Sequence, residues 1–260
     1  MRNNHKRFAF GKNWQAFSER SLTKERFQQF KDSFKALMHG IDMQNKEFID
    51  IGFGQGLALI SALQMGANVT GIDIDENNIQ ALENTCRKIG CHKTPEHRIC
   101  SILNDSFVES NKHQFDIVHS WGVLHHTGNM SKALENGCRL VAKDGLFICS
   151  IYNKHWSSPI WNWIKLLYNR SPGTVKKIFI LFFYPILLFA KIAVTRKNPY
   201  KKERGMDFYY DVVDWVGGYP YEYASINDML RTVQSKGFRP IRVNPAIVPT
   251  GCNEFVFKKE

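Results

Sequence analysis

Residues 47–56 read E-F-I-D-I-G-F-G-Q-G and residues 68–75 read N-V-T-G-I-D-I-D; these two stretches decide the fold. The apolar strand 48–51 runs into Gly52, Phe53, Gly54, Gln55 and Gly56. Missing side chains there let backbone N–H groups approach a ligand at the start of the next helix. The second strand ends on Asp73, a carboxylate placed to accept both hydroxyls of a ribose. Together they read as a nucleotide-cofactor cradle.

A dinucleotide site is the sharper rival to an ordinary strand-to-helix turn, because Asp73 lies 21 positions after Gly52 and that spacing suits either cofactor. The glycines separate the two. Gly52, Gly54 and Gly56 make G-x-G-x-G, whereas a dinucleotide loop wants its third glycine at 57, which is Leu57. Asp50, entering the loop, would repel a pyrophosphate but can hold a cationic amino-acid moiety through charge-assisted hydrogen bonds. A zwitterionic nucleoside fits better than a dinucleotide.

With F-D-I-V-H-S-W-G-V-L-H-H at 115–126 and L-V-A-K-D-G-L-F-I at 140–148, the chain resembles the class I S-adenosylmethionine-dependent methyltransferases. Among them it looks closest to the small-molecule enzymes of quinone biosynthesis. The match is good over residues 45–152 and loose over the C-terminal strands. The resemblance implies S-adenosylmethionine as cofactor, S-adenosylhomocysteine as product and no metal. It further implies that Gly52 to Gly56 surround the methionine part, Asp73 holds the ribose and Ile74 packs on the adenine. Ser101 and Ile102 would flank the adenine amino group, and Ser120 and Trp121 would line the methyl-donor side. Phe53 replaces the small residue usual between the first glycines, and Ser101 stands where many relatives have aspartate.

Length and composition suit one elaborated α/β domain: 260 residues, 43% apolar and 23% charged, are enough for a large core. The six cysteines form no C-x-x-C pair and read as reduced core thiols, and the N-terminus lacks the apolar stretch of a signal peptide. The expected location is therefore cytoplasmic. Cys91 with His92 is read as incidental rather than as a zinc pair.

Strands are expected near 47–51, 68–74, 97–102, 115–120 and 145–152, alternating with helices near 56–66, 76–89 and 130–142. That order implies a Rossmann-like sheet, mostly parallel and covered on both faces. Ser225 and Asp228 mark a helix start and Gly237 its stop; strands 239–247 and 253–258 close the sheet, the last returning antiparallel as in the methyltransferase fold. The organisation expected is an N-terminal lid segment 1–44 with a helix from about Leu22 to Met38, a cofactor-binding core 45–153, a helical cap insertion 154–224 and a C-terminal part of the core, 225–260. All four make one domain.

The cap is unusual in charge. Residues 154–204 hold eleven Lys or Arg against Glu203 alone, so nearly all of the chain's formal +11 lies there. Interleaved are Trp156, Trp161 and Trp163 and the apolar run 178–194, which Pro185 and Lys191 interrupt. At 17 residues the run is short for a span of roughly 20. Three readings stand: docking on an anionic membrane surface through 156–197 with a peripheral location at its inner face, packing on the domain or a second copy of the chain, and nucleic-acid binding. The aliphatic character argues against nucleic acid.

Methyl transfer from a sulfonium needs mainly a held acceptor, with a base only for a protonated nucleophile. His126 and then His125 are the candidate bases, against a reading in which they fix their loop. Glu254 follows, with Asn253 beside it on the rim. Tyr209 and Asp214, from the acid- and aromatic-rich 204–222, are the acceptor-pocket candidates, and Trp14 is a lid over the adenosyl group or a packing residue. The expected function is methylation, on oxygen, of a lipid-like or lipid-linked small molecule. An RNA methyltransferase and a non-catalytic S-adenosylmethionine-binding adaptor are the alternatives.

Overall fold

In the computed structural model residues 8–91, 93–196, 198 and 208–260 are described; His92 and the 204–207 start of the acid- and aromatic-rich stretch lie outside them. Seven strands form one sheet in the order β3-β2-β1-β4-β5-β7-β6. They are β1 (Glu47–Ile51), β2 (Asn68–Asp73), β3 (Glu96–Ile99), β4 (Phe115–Trp121), β5 (Val141–Tyr152), β6 (Phe238–Asn244) and β7 (Cys252–Lys259). The first five run parallel, and β7 lies antiparallel between β5 and β6. This is the mostly parallel sheet with an antiparallel last strand expected from the sequence. Because β1 and β4 neighbour each other at the reversal of strand order, their C-terminal ends open a crevice, the usual ligand position in such sheets.

The sheet is buried on both faces because its central strands are apolar at successive positions. Ile49 and Ile51 face a core with Val118, Phe147 and Phe255, and Phe48 faces another with Ile117, Ile148 and Val256. Helices α1 (Phe10–Arg20), α2 (Lys24–Leu37), α3 (Leu57–Gln64), α4 (Asn77–Ile89), α5 (Asp105–Ser110) and α6 (Met130–Leu140) precede the cap. In α2, Phe27 and Phe34 are buried, and Thr23 caps the helix by accepting the Arg26 N–H at 3.2 Å. Three differences from expectation are local. The N-terminal segment carries two helices rather than one, α5 follows an Asn104 cap, and β5 begins at Val141, bending at Asp144 (φ +59°).

Between β5 and the last helix, α10 (Ile226–Gln234), lie α7 (Ser158–Arg170), α8 (Gly173–Thr195) and α9 (Phe208–Gly217). The apolar run is part of an unbroken 23-residue helix with Pro185 inside it, roughly 34 Å long at 1.5 Å per residue. Neither Pro185 nor Lys191, which interrupt the apolar run, breaks the helix. Pro185 is exposed, and Lys191 turns inward to meet Asp211 at 3.2 Å and the Phe208 ring at 5.6 Å. Tyr168, Ile180, Phe208, Val212 and Val216 form a small separate core among these three helices. At α10 the expected capping box is present: Ser225 Oγ accepts the Asp228 N–H at 3.1 Å, and Asp228 accepts the Ser225 N–H. Bonds from Ser225 and Arg231 push the Asp228 carboxyl down to about 2.

Candidate functional site

The cradle is built where β1 and β2 end. Gly52 N–H donates to the Ile72 carbonyl at 2.7 Å, and the loop then crosses to α3 with Gly54 and Gly56 in left-handed conformations (φ +54° and +80°). Phe53 gives its backbone to the loop and its side chain to the core, against Gly71 and 6.0 Å from the His97 ring. Asp73 braces the loop: its Oδ2 accepts the Gly54 N–H and its Oδ1 the Asp75 N–H, each at 3.0 Å. Burial raises the Asp73 pKa, while the amides of Asp75 and Gly54 and the Asn78 side chain oppose it.

Two buried acceptors here, Gln55 Oε1 and Asn78 Oδ1, have no hydrogen-bond partner among the described residues. Buried polar groups left unpaired are costly, and an ammonium and ribose hydroxyls are the donors that would satisfy them. Ile74 is 54% exposed at the mouth, an apolar shelf of the kind a purine covers. Ser101 Oγ accepts the Leu103 N–H at 3.1 Å, while Ile102 is buried and its carbonyl accepts from Asn136. These features fit S-adenosylmethionine. Gln55, Asp73 and Asn78 would hold its polar ends, and Ile74 its base. Asn78 was not singled out in the sequence; its only signal is a polar run, D-E-N-N, opening α4.

Asp50 is placed differently from expectation. Its Oδ1 lies 2.7 Å from Nδ1 of His119, both side chains are buried, and the His119 ring packs between Phe34 and Phe48. A carboxylate engaged in this pair braces β1 against β4 rather than standing free for a ligand's ammonium. At the end of β4, Ser120 Oγ donates to the Ile51 carbonyl at 3.1 Å. Trp121 Nε1 donates to Glu254 Oε1 at 3.0 Å, while Glu254 Oε2 accepts from Asn244 at 3.2 Å. Glu254 thus fixes Trp121, in place of the base role expected for it.

Three more expected pocket residues are placed otherwise. Asn253 is buried, with Oδ1 accepting the Ala246 N–H and Nδ2 donating to Asn153, so it ties the rim loops together and offers nothing to a pocket. Tyr209 is 50% exposed on the outer side of α9. Asp214 points to α1, accepting from Asn13 Nδ2 at 2.6 Å.

Helix α1 lies over the cradle. Gly11 N–H donates to Asp75 Oδ2 at 2.9 Å, the Trp14 indole lies against Gly54, and the Phe10 ring packs at a tilt 4.8 Å from the His126 ring. Since Asn13 bonds Asp214, one helix is tied to both cradle and cap. Trp14 also packs edge-on against Phe17, 6.4 Å between ring centres, so it serves both of its readings, lid and packing residue, equally.

His125 and His126 form a 3₁₀ turn after β4. His126 Nδ1 sits 2.6 Å from the Pro220 carbonyl; a carbonyl only accepts, so Nδ1 carries the proton and Nε2 is the basic nitrogen. Burial pushes the His126 pKa down to about 3. His125 is fully buried, and among the described residues neither ring nitrogen has a partner at hydrogen-bonding geometry. Burial, then the charges of His126 and Lys165, hold its pKa well down, and the nearby Ser150 backbone opposes this.

Around these histidines the structure gathers residues that the sequence had not marked as a group: Tyr152, Lys165, Trp215 and Tyr221. Lys165 is completely buried. Its Nζ donates to the Trp215 carbonyl and lies 4.4 Å and 4.8 Å from the Trp215 and Tyr221 ring centres. Burial lowers its pKa to about 7 against the pull of Asp214. The available signal was helical spacing, because Lys165 falls four after Trp161 and three before Tyr168, on the inward face of α7.

A family model described as a methyltransferase domain matches residues 22–183, well over half of the chain. A ubiquinone biosynthesis O-methyltransferase of Maricaulis maris is 32% identical over 106 residues, which are 41% of this chain and 40% of that protein. The chain spans well under half the length of the curated relatives it matches. Among solved structures, magnesium protoporphyrin IX methyltransferase of Synechocystis PCC 6803 with bound S-adenosylhomocysteine has a TM-score of 0.55 at 16% identity, over 91% of this chain and 84% of that one. An O-methyltransferase family protein of Burkholderia thailandensis gives 0.58 at 11% identity, over 95% of this chain and 59% of that one. At such identities the likeness is one of fold, and it joins a matching domain model and a cradle whose open acceptors suit this cofactor. The chain belongs to the methyltransferase-domain family, as a class I S-adenosylmethionine-dependent methyltransferase.

Proposed function

We propose that this enzyme methylates, on oxygen, a small lipid-like or lipid-linked acceptor at the surface of an anionic membrane. The observation that carries the reading is the outer face of the cap. Ile178, Leu181, Phe182 and Phe189 of α8 are 60–77% exposed, and α7 adds Trp163 and Leu167 beside them. By length and composition α8 is apolar enough to cross a membrane. Its other face, with Phe179, Phe183 and Leu187, is packed on the core of Tyr168, Phe208, Val212 and Val216. A helix held along one side suits the plane of a bilayer surface better than a span. Lys176, Lys177 and Arg170 flank the apolar stripe, and each basic residue near an anionic surface adds about 1 kcal/mol. The oxygen assignment leans on the activity of the Maricaulis maris relative.

When bound, S-adenosylmethionine supplies an electrophilic methyl group on sulfur. The chain's own residues do the rest. Asp73 and Gln55 orient the polar ends of the ligand, and α1 with Trp14 shuts water out of the cradle; His126, its pKa held at about 3 by burial, stays neutral and fixes its loop through the Pro220 carbonyl rather than taking a proton. Catalysis of this kind comes mostly from positioning.

The test is an assay with radiolabelled methyl donor on a cell extract separated into lipid, RNA, protein and small-molecule fractions. Label in the lipid fraction is expected; label confined to RNA or protein overturns the acceptor class. In parallel, the full chain should sediment with phosphatidylglycerol-containing vesicles, and the triple variant Leu181→Ser, Phe182→Ser, Phe189→Ser should not. Equal sedimentation of the two, or a wild-type dimer that the triple variant makes monomeric, removes the membrane.

A further inference from the structure

The cluster under the cap holds more donors than acceptors. Lys165 offers an ammonium, Trp215 an indole N–H and Tyr221 a hydroxyl; the last two have no hydrogen-bond partner among the described residues. The Tyr221 hydroxyl stays protonated, burial raising its pKa to about 12 although Ser158 is close enough to oppose the shift. Against these donors stand the Trp215 carbonyl, already used by Lys165, and the two neutral histidines. Among the described residues no carboxylate forms an ion pair with Lys165. A buried cation outside any close ion pair is disfavoured unless a ligand completes it.

The cluster is also compact and ring-walled. Tyr152 lies 4.0 Å from His125, 5.4 Å from His126, 5.3 Å from Trp215 and 5.2 Å from Tyr221, all between ring centres. It sits at the C-terminal ends of β4 and β5, the same edge of the parallel sheet on which the cradle opens. Phe10 of α1 covers His126, and the packing of the 218–221 turn on His126 closes the rest.

We propose that Lys165 is an acceptor-binding residue: with the Trp215 and Tyr221 donors it holds an ionised oxygen of the methyl acceptor, carboxylate or acidic hydroxyl, under the cap. The inference rests on the methyltransferase reading and deepens it by naming the charge the acceptor must carry. The anion adds a second counter-charge to the one Asp214 exerts from α9. Because Lys165 titrates near 7, binding is strong below that pH and fades above it. The other titratable groups facing it are His125 and His126 of the 3₁₀ turn, Tyr152 of β5, Asp214 of α9, Tyr221 of the closing turn and Cys252 of β7. Those whose pKa values are shifted, the two histidines and the two tyrosines, move away from neutrality and stay uncharged.

The experiment uses the full chain saturated with S-adenosylhomocysteine and titrated with benzoate, 4-nitrophenol and benzyl alcohol. Benzoate should bind at least tenfold more tightly than the neutral alcohol at pH 6 and lose at least tenfold by pH 9, or 4-nitrophenol should show enhanced phenolate absorbance on binding at pH 7. The first result assigns a carboxylate, the second an acidic hydroxyl. Lys165→Met should abolish the preference and Lys165→Arg retain it, with S-adenosylhomocysteine affinity unchanged in both. Equal binding of anions and alcohol, or a Met variant that keeps the preference, overturns the proposal. Should the Met variant fail to fold, the wild-type pH series decides. Vesicle sedimentation of the same preparations separates the readings, since its loss with anion preference intact removes only the membrane.

Discussion

Gly54 and Gly56 are two residues apart in one loop, yet the structure gives them different tasks, and alanine at each separates cofactor binding from stability. Both have positive φ, +54° and +80°, so a Cβ costs roughly 1–2 kcal/mol at either. At Gly54 the nearest atom to an added Cβ is Trp14 Nε1 at 3.4 Å, an ordinary contact, whereas at Gly56 it would lie 2.2 Å from Leu82 Cδ1. Leu82 is fully buried, so its displacement adds the ~1–3 kcal/mol typical of overpacking. Gly56→Ala should therefore lower the melting temperature by roughly 5–15 °C, and Gly54→Ala by only a few degrees. Calorimetric titration with S-adenosylhomocysteine should show the reverse order. Gly54→Ala places a methyl on the ligand face and weakens binding at least tenfold, while folded Gly56→Ala binds within a fewfold of wild type. A Gly56→Ala protein that melts with wild type, or two variants equally impaired in binding, refutes this division of the loop.

Asp73→Asn removes the charge that would meet the ribose hydroxyls, and the loss of charge-assisted bonds worth about 1.5–3 kcal/mol should weaken S-adenosylhomocysteine by roughly 10- to 100-fold; unchanged affinity by calorimetry would sink the cradle assignment. For Lys165 the folded pKa, about 7, lies below the ordinary lysine value of 10.5. The unfolded chain therefore holds a proton that the folded one lacks between these values, and stability rises with pH across that window. At about 1.4 kcal/mol per unit, Lys165→Met should be more stable than wild type in urea at pH 7, and the gap should shrink by about 2–3 kcal/mol at pH 9. A gap independent of pH would show that the lysine is not buried as a cation. Asn13→Ala cuts the tie to Asp214, and amide exchange in α1 should quicken at least tenfold while α4 is unaffected; equal protection in both proteins would mean that α1 is held by other contacts.

Local features of the sequence carried furthest. The glycine loop, the acid at the end of β2 and the Ser225–Asp228 capping box are each set by residues within one turn or one strand end, so spacing alone reveals them. Pairings across the chain left no such trace. Asp50 meets His119 from 69 positions away, and nothing in D-I-G-F-G-Q-G shows that the carboxylate is already engaged. Glu254 and Asn253 looked available for the same reason. Pro185 misled in the other direction: its helix cost is offset by apolar packing along the inner face of α8, a tertiary effect that a window of sequence does not contain. Lys165 was hidden by arithmetic, one of eleven basic residues in a segment whose excess charge drew attention to its surface.

Helix α1 is stitched to Asp75 on one side and to Asp214 on the other. Under the function proposed above, such a strap makes the two ligand sites thermodynamically dependent: displacing it for an acceptor loosens the cofactor, and seating the cofactor restores the roof over the acceptor. By linkage the influence is reciprocal. Ordered binding is the expected outcome, with S-adenosylhomocysteine competitive against S-adenosylmethionine and noncompetitive against the acceptor in product-inhibition kinetics; random order would mean that the strap does not couple the sites.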